Sequence, residues 1–390
     1  MILISNPTSV HTINWLDGLT SQGFEVKVVY EEFWTIDPEK PEVLVDTIPL
    51  KTKGGYSLLR ESLVKLRLRS IFKDIPARTN LNQRLDFLAP QLEEAISDFD
   101  ANFVHANGLQ AAALLANRSS FRPYSISIYG SDILLAPYRK PYLAPLMKKA
   151  LEESSLIHVQ GDSLANRVNE MTPSCSDKIL KATWGADTKL FSPNQPDDQL
   201  SSLGLPKTRW ILSCRALFPL YRISTIIESF SVIAKEIDDV SLIIGGQGSE
   251  RQSLEQLVSD LNLSDRVFFT GHLDRETMSQ LFSSSYIYVQ YPESDGVSIT
   301  AMEAMSSGLP IISSEVGDVP TIVHHQENGF LVDTSSSESL TESMRKLLND
   351  RELRDKMGRQ SREDAEQKHD RSKFFANITM KMREIASNTS

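Results

Sequence analysis

Residues 291–332 run YPESDGVSITAMEAMSSGLPIISSEVGDVPTIVHHQENGFLV. An apolar strand, Tyr286 to Gln290, leads into this stretch, and a second, Pro310 to Ser313, lies inside it. Between them a polar loop carries Glu293, Asp295 and Gly296, and the pattern predicts a helix that begins near Val297 and bears Glu303. Strand, loop, helix and strand in succession is the repeat of a parallel sheet. Asp295 and Glu303 are eight residues apart, which on a helix is roughly 12 Å of rise and a little over two turns. One carboxylate therefore sits at the start of the helix and the other further along it. The N–H groups of Gly296, Val297, Ser298 and Ile299, at the positive end of the helix dipole, form a seat for a phosphate group. Carboxylates beside such a seat suit sugar hydroxyls, one for a ribose and one for a hexose.

The same alternation extends in both directions. Ile2 to Ile4 reads as a first strand and Ser5 to Ser9 as a polar turn; a helix follows from Val10 to Ser21, stopped by Gly23, and Glu25 to Tyr30 as a second strand. That first turn has no glycine, so there is no dinucleotide-binding fingerprint. Further strands are expected at Phe103–His105, Ser125–Tyr129 and Leu156–Gln160. The polar, proline-rich run Ser192–Asp198 is the best linker, and the pattern restarts beyond it with strands at Trp210–Ser213, Val240–Ile244 and Val267–Phe269. The expected fold class is α/β, two doubly wound Rossmann-like domains facing a cleft, where ligands bind at the carboxyl ends of the strands.

Composition narrows the class. The 390 residues are 40% hydrophobic and 24% charged, which is ordinary for a globular chain of about two domains. The formal charge of −10 is uneven, with 21 basic against 22 acidic side chains in residues 1–190 and 20 against 29 in residues 191–390. A general nucleic-acid binder would show a strong positive balance, so no nucleic-acid partner is expected. The two cysteines, Cys175 and Cys214, read as reduced buried thiols, and no spacing suits a metal. Without an apolar run of membrane length or a basic leader, the chain reads as cytoplasmic or peripheral to the inner face of a membrane. One segment departs from the average: residues 51–78 hold eight basic residues against Glu61 and Asp74, with leucines interleaved. Such a stretch can lie on anionic lipid, grip a phosphorylated acceptor, or simply cover a core with a solvated face.

The segment 291–332 resembles the donor-site signature of retaining glycosyltransferases of family four, which have two Rossmann-like domains (the GT-B architecture). Their pattern is an acidic residue, seven residues and Glu, then Ala-Met-Ala-x-Gly-x-Pro; here it is Asp295, Glu303 and Ala304-Met305-Ser306-Ser307-Gly308-Leu309-Pro310. Most members carry Glu where Asp295 stands, and a subgroup reading Ser-Asp-Gly-x-Ser carries Asp. Val316–Pro320 and Glu327–Val332 resemble the next two landmarks, Trp184–Pro193 the interdomain signature, and Ile243–Glu250 the glycine-rich turn of the second domain.

The resemblance implies a nucleoside-diphosphate sugar as donor, as a substrate and not a cofactor, and no cofactor or metal. It places the ribose on Glu303 and the transferred sugar near Asp295. The family grips the diphosphate with an Arg and a Lys after the first strand of the second domain. Arg215 matches the Arg; the Lys position falls on or near Tyr221, and Arg222, one residue on, could replace its charge with a different geometry. Gly245, Gly246 and Gly248 would allow a ligand close to the backbone, and His272 would meet the base. On the acceptor side, His11, Asn14 and Trp15 resemble a subgroup's opening. Val104–Asn107 resembles a His-Ala-His element in which Asn107 replaces the second His and His105 is the first. Tyr129–Leu134 resembles Trp-Gly-Ser-Asp, and Asp132 is left as the nearest group to accept a proton from the incoming hydroxyl. Plainer readings stand beside these: a cap for Asp295 or Asp132, a solvated face for Glu303, core packing for His105.

The expected division is residues 1–190 for acceptor binding, 191–371 for the nucleotide sugar, and 372–390 as a helix that crosses back to the first domain. The expected activity is transfer of a hexose with retention to a hydroxyl of a sugar or lipid-linked glycan. The alternatives are a nucleotide-sugar epimerase on the same architecture and a catalytically silent partner of another transferase.

Overall fold

The strands Ile2–Ile4 (β1), Lys27–Glu31 (β2), Thr47–Leu50 (β3), Val104–Asn107 (β4), Tyr124–Ser127 (β5), Leu156–Val159 (β6) and Ile179–Lys181 (β7) form one sheet in the order β3-β2-β1-β4-β5-β6-β7. Every pairing is parallel. A parallel sheet is covered on both faces, which is why β1 is apolar and buried at every position. The structure is a computed structural model and describes residues 1–5, 10–31, 47–50, 77–134, 136–196 and 200–389. Of the basic stretch 51–78, only the backbone of Ala77 and Arg78 is described, in the first turn of the helix Ala77–Asp98. The expected contact with a membrane or an anionic acceptor thus lies outside the described residues.

One face of this sheet packs Ile2, Ile4, Val104, Ala106 and Ile126 against the helices Ala77–Asp98, Ala111–Arg118 and Ala144–Glu153. The opposite face is unusually polar. His105 bonds Ser125 Oγ at 2.8 Å and His158 bonds Ser127 Oγ at 2.9 Å, each side chain buried. Trp15, from the helix Val10–Ser21, covers His105 at 4.1 Å between ring centroids, and Phe375 packs on Trp15 edge-on at 5.3 Å. Gly18 makes room for Phe375, because a Cβ there would stand 2.1 Å from the phenyl ring.

The second sheet joins Arg209–Cys214 (β8), Val240–Gly245 (β9), Val267–Gly271 (β10), Ile287–Gln290 (β11), Ile311–Ser314 (β12) and Gly329–Val332 (β13) in the order β10-β9-β8-β11-β12-β13, again all parallel. In both sheets the strand order reverses beside the first strand, between β1 and β4 and between β8 and β11. Loops leaving those two strands diverge and open a crevice at the carboxyl end of the sheet.

The chain divides into two units, Met1–Ala182 with Phe375–Ser390, and Thr183–Phe374. The first boundary therefore precedes Thr183, where the sequence suggested the end of residue 190. Residues 183–191 are tied to the second unit: Ala186 exchanges backbone bonds with His369 and Arg371 at 2.8 and 2.9 Å, and Thr183 Oγ1 bonds His369 Nδ1 at 2.8 Å. Gly185 has φ +73°, and a Cβ on it would sit 2.3 Å from the His369 carbonyl, so only glycine permits this crossing. The helix Arg371–Thr389 starts in the second unit and continues from Phe375 in the first. No helix among the described residues is long and apolar enough to cross a membrane.

Candidate functional site

The switch point of the second sheet gathers the side chains that the sequence singled out. Arg215 follows β8 directly, and Asp295 lies in the loop after β11. Arg215 Nη2 donates to Asp295 Oδ2 at 2.7 Å, and its Nη1 donates to Ser298 Oγ. The Arg215 guanidinium also lies 4.3 Å over the Tyr221 ring. Both members of the ion pair are largely shielded, with side chains 9% and 16% exposed. Burial raises the Asp295 pKa, and Arg215 pulls it back. Gly317, in the loop after β12, fixes the backbone of Asp295. At φ +52°, a Cβ on Gly317 would stand 1.9 Å from the Asp295 carbonyl oxygen.

The helix after β11 spans Ile299–Ser306, two residues later than the sequence suggested, because Ser298 is its N-cap and accepts from the Ala301 amide at 3.2 Å. This corrects the expected set of amides. The Gly296 N–H is taken by the Asp295 carboxylate at 3.0 Å. The groups that make no backbone hydrogen bond at this helix start are those of Val297, Ser298 and Ile299, joined by Thr300.

Glu303 is on the buried side of that helix, its side chain only 4% exposed. Among the described residues its carboxylate accepts no hydrogen bond; the one cation paired with it is Arg275, with Nη1 3.6 Å from Oε1. Burial pushes the Glu303 carboxyl up to about 7, against the pull of Arg275 and Arg371. The solvated reading of Glu303 is thereby excluded.

The glycines after β9 serve a different purpose from the one the sequence suggested. A Cβ on Gly245 would meet Cys214 Sγ at 2.7 Å, one on Gly246 the Arg215 carbonyl at 2.1 Å, and one on Gly248 the Leu217 carbonyl at 2.2 Å. The close approach is to the protein's own turn 215–217, which is locked by Arg215 N to Gly245 O and Leu217 N to Gln247 O. Arg222 is the left-handed residue (φ 48°) before the helix Ile223–Glu236, and its nearest carboxylate is Glu293 at 3.9 Å. His272, one residue beyond β10, is exposed and outside these contacts.

In the first unit the corresponding switch point holds a chain of hydrogen bonds. Asn107 Nδ2 donates to Ser5 Oγ at 2.7 Å, Ser5 Oγ meets Thr12 Oγ1 at 2.5 Å, and the Tyr129 hydroxyl donates to Asn107 Oδ1. Trp15 Nε1 donates to that hydroxyl at 3.3 Å. Asp132 accepts from Leu109 N (3.1 Å), Gln110 Nε2 (3.3 Å) and Tyr129 N (3.4 Å), bracing the loop after β4 against the turn after β5. Burial raises its pKa against those bonds. Asn14 is half-buried on the first helix, and the side chain of His11 lies outside the described residues. Two expectations are corrected here. Trp15 and His105 are both fully buried, so they support the floor of this region and offer no surface to a ligand. Tyr129, Ser5 and Thr12 were not foreseen as members of the cluster, nor Arg275 as the partner of Glu303.

No group of His, Cys, Asp and Glu able to hold a metal ion occurs among the described residues. The family model described as "Glycosyl transferase 4-like" matches residues 1–161, and the one described as "Glycosyl transferases group 1" matches residues 197–364. N-acetyl-alpha-D-glucosaminyl L-malate synthase of Bacillus anthracis is 26% identical over 61% of this chain and 61% of its own. Sulfoquinovosyl transferase SQD2 of Arabidopsis thaliana is 26% identical over 72% of this chain and 56% of its own. The chain thus spans about three fifths of the length of these curated relatives. Among solved structures, sucrose-phosphate synthase from Thermosynechococcus elongatus superposes with a TM-score of 0.77 at 19% identity, over 99% of each chain. Anabaena HepE in complex with UDP gives 0.76 at 17% identity, over 98% of this chain and 100% of that one. With a glycosyltransferase model on each half and this fold throughout, the chain belongs to the GT-B glycosyltransferases.

Proposed function

We propose that this protein is a retaining, metal-independent glycosyltransferase that moves a hexose from a nucleoside-diphosphate sugar to a hydroxyl of a saccharide or lipid-linked glycan. The observation that carries the reading is the convergence, at the switch point between β8 and β11, of Arg215, Asp295 and a capped helix start, with Glu303 buried nearby and without a hydrogen bond. Fixed N–H dipoles and one guanidinium neutralise a leaving diphosphate without the reorganisation that water would need. The Glu303 carboxylate takes the ribose hydroxyls, and Asp295 lies toward the transferred sugar. In a front-face displacement, the acceptor oxygen bonds the anomeric carbon on the side from which the diphosphate oxygen departs. The acceptor proton passes to a base, and we assign that role to Asp132, a carboxylate whose pKa burial raises. An overall charge of −10 does not oppose an anionic donor, because diffuse surface charge is screened within about 10 Å while the site's dipoles act at contact.

A panel of nucleotide sugars, scored for thermal stabilisation and slow hydrolysis, tests the reading, and proton NMR of the product's anomeric centre reads retention. Glu303→Ala is expected to weaken nucleoside-diphosphate binding by about tenfold to a hundredfold, the worth of one charged hydrogen bond. Unchanged affinity would remove the ribose assignment.

A further inference from the structure

Arg275 has no evident reason to stand where it does. Asp274 is the N-cap of the helix Arg275–Ser283, its Oδ1 accepting the Thr277 amide at 2.8 Å and its Oδ2 the Thr277 hydroxyl at 2.9 Å. Arg275 is therefore the first residue of that helix, at the positive end of its dipole, where a cation is disfavoured. Its guanidinium is instead held over the Phe191 ring at 5.3 Å, with Nη1 3.6 Å from Glu303 Oε1. Phe191 is itself fully buried and packs edge-on against Phe282 at 5.9 Å, so the ring is a fixed platform. The pair is asymmetric: the Arg275 side chain is 43% exposed and that of Glu303 is 4% exposed.

We propose that Arg275 is a positioning residue that holds the Glu303 carboxylate ionised and open to accept the hydroxyls of a nucleotide's ribose. This rests on the reading of Glu303 as the ribose ligand. At 3.6 Å the pair is Coulombic and not a hydrogen bond, so Arg275 supplies charge without consuming a lone pair. A bidentate guanidinium would occupy both oxygens and leave none for hydroxyl donors. The other groups that act on Glu303 are Arg371 from the last helix, Asp187 from the 183–191 segment and Cys214 at the end of β8. Arg371 adds attraction and Asp187 opposes ionisation, which leaves Arg275 as the cation in contact range. Burial without that cation would keep the carboxyl protonated at neutral pH, and a protonated carboxyl loses acceptor capacity.

The test is calorimetric titration of the full chain with UDP, GDP and ADP at pH 6, 7, 8 and 9, for wild type, Arg275→Gln, Arg275→Lys, Glu303→Gln and the double variant Arg275→Gln/Glu303→Gln. The Glu303→Gln curve carries the ligand's own phosphate titration, so the difference between wild type and that variant isolates the carboxylate. Arg275→Gln is expected to weaken binding about fivefold at pH 7, approaching about tenfold at pH 6, and to return within about twofold of wild type at pH 9, its midpoint displaced upward by about one unit. Arg275→Lys should keep most of the wild-type profile, and the double variant should bind no worse than Glu303→Gln alone. A wild-type midpoint in Arg275→Gln, or losses that add fully in the double variant, would overturn the proposal. If Glu303→Gln binds as wild type does, or none of the three nucleotides binds wild type, the ribose reading itself fails instead.

Discussion

Two histidines, on the strands β4 and β6 that flank β5, are buried as neutral rings, and that sets how the protein answers acid. Burial lowers the His105 pKa from 6.5 to about 3, helped by His158, and lowers that of His158 to about 4 against the bond it makes to the Ala182 carbonyl. Below pH 6.5 the unfolded chain binds protons that these rings in the folded chain refuse. Stability contributed by their neutral state is thus complete above pH 6.5 and is lost as the pH falls toward 4, at about 1.4 kcal/mol per pH unit for each ring. In the second unit His369, lowered to about 4 by burial, acts the same way. Glu303, raised to about 7, acts oppositely, since its folded form holds a proton more firmly between pH 4.5 and 7. These two largely cancel, so the first unit is expected to be the acid-sensitive one. Denaturant titrations at pH 7 and pH 5, with hydrogen exchange to locate the opening, should show the two histidines costing the first unit about 3–4 kcal/mol, offset in part by Asp132, whose raised pKa acts in the opposite sense. His158→Asn should halve that loss, and equal midpoints at both pH values would remove the argument. The burial of His105 was legible in principle: alternation puts residues 105 and 107 on one face, and only the latter reaches the strand's carboxyl end. The meeting of Arg275 with Glu303 was not, because it depends on how two helices cross one sheet face; the sole local signal was a cation placed just after an N-cap aspartate.

Among the elements, the central strands and the helices between them announce themselves through continuous apolar runs, and the succession of strands β8 to β12 along the chain could be read in advance. Strands β3, β7 and β13 were not foreseen; each forms an edge of its sheet, where little apolar surface is required. The start of the helix Ile299–Ser306 depended on one hydroxyl: Ser298 caps it, and the apolar Val297 before it had suggested an earlier beginning. The turn after β8 is held to the loop after β9 by contacts that only glycine allows. Gly246→Ala would place a methyl against the Arg215 carbonyl in a backbone conformation of φ +124°, which costs about 1–3 kcal/mol in strain before any overlap is relieved. The expected outcome is a lower melting temperature together with weaker nucleoside-diphosphate binding, because the shift moves Arg215 itself. A variant that melts lower while binding as wild type does would show that the turn and the ligand site are independent.

For the molecule as a whole, the order of the chain makes the first unit discontinuous, since Phe375–Ser390 completes what Met1–Ala182 begins. Phe375, Ile378 and Met382 are buried in this returning helix, and Phe375 seats on Trp15 over Gly18. The second unit, Thr183–Phe374, is by contrast one uninterrupted run of chain with its own apolar cores. Phe375→Ala removes a buried ring from a site lined by rigid aromatic and strand residues, and truncations of that kind cost about 3–5 kcal/mol. The loss should fall on the first unit alone, so calorimetry of Phe375→Ala should resolve an early transition while the later one stays at its wild-type temperature. Residues 1–182 expressed alone should lack that early cooperative melt, and adding a peptide of residues 371–389 should restore it. A fragment of residues 1–182 that unfolds cooperatively without the peptide would mean that the polar sheet face, with Trp15 over His105, closes without the returning helix.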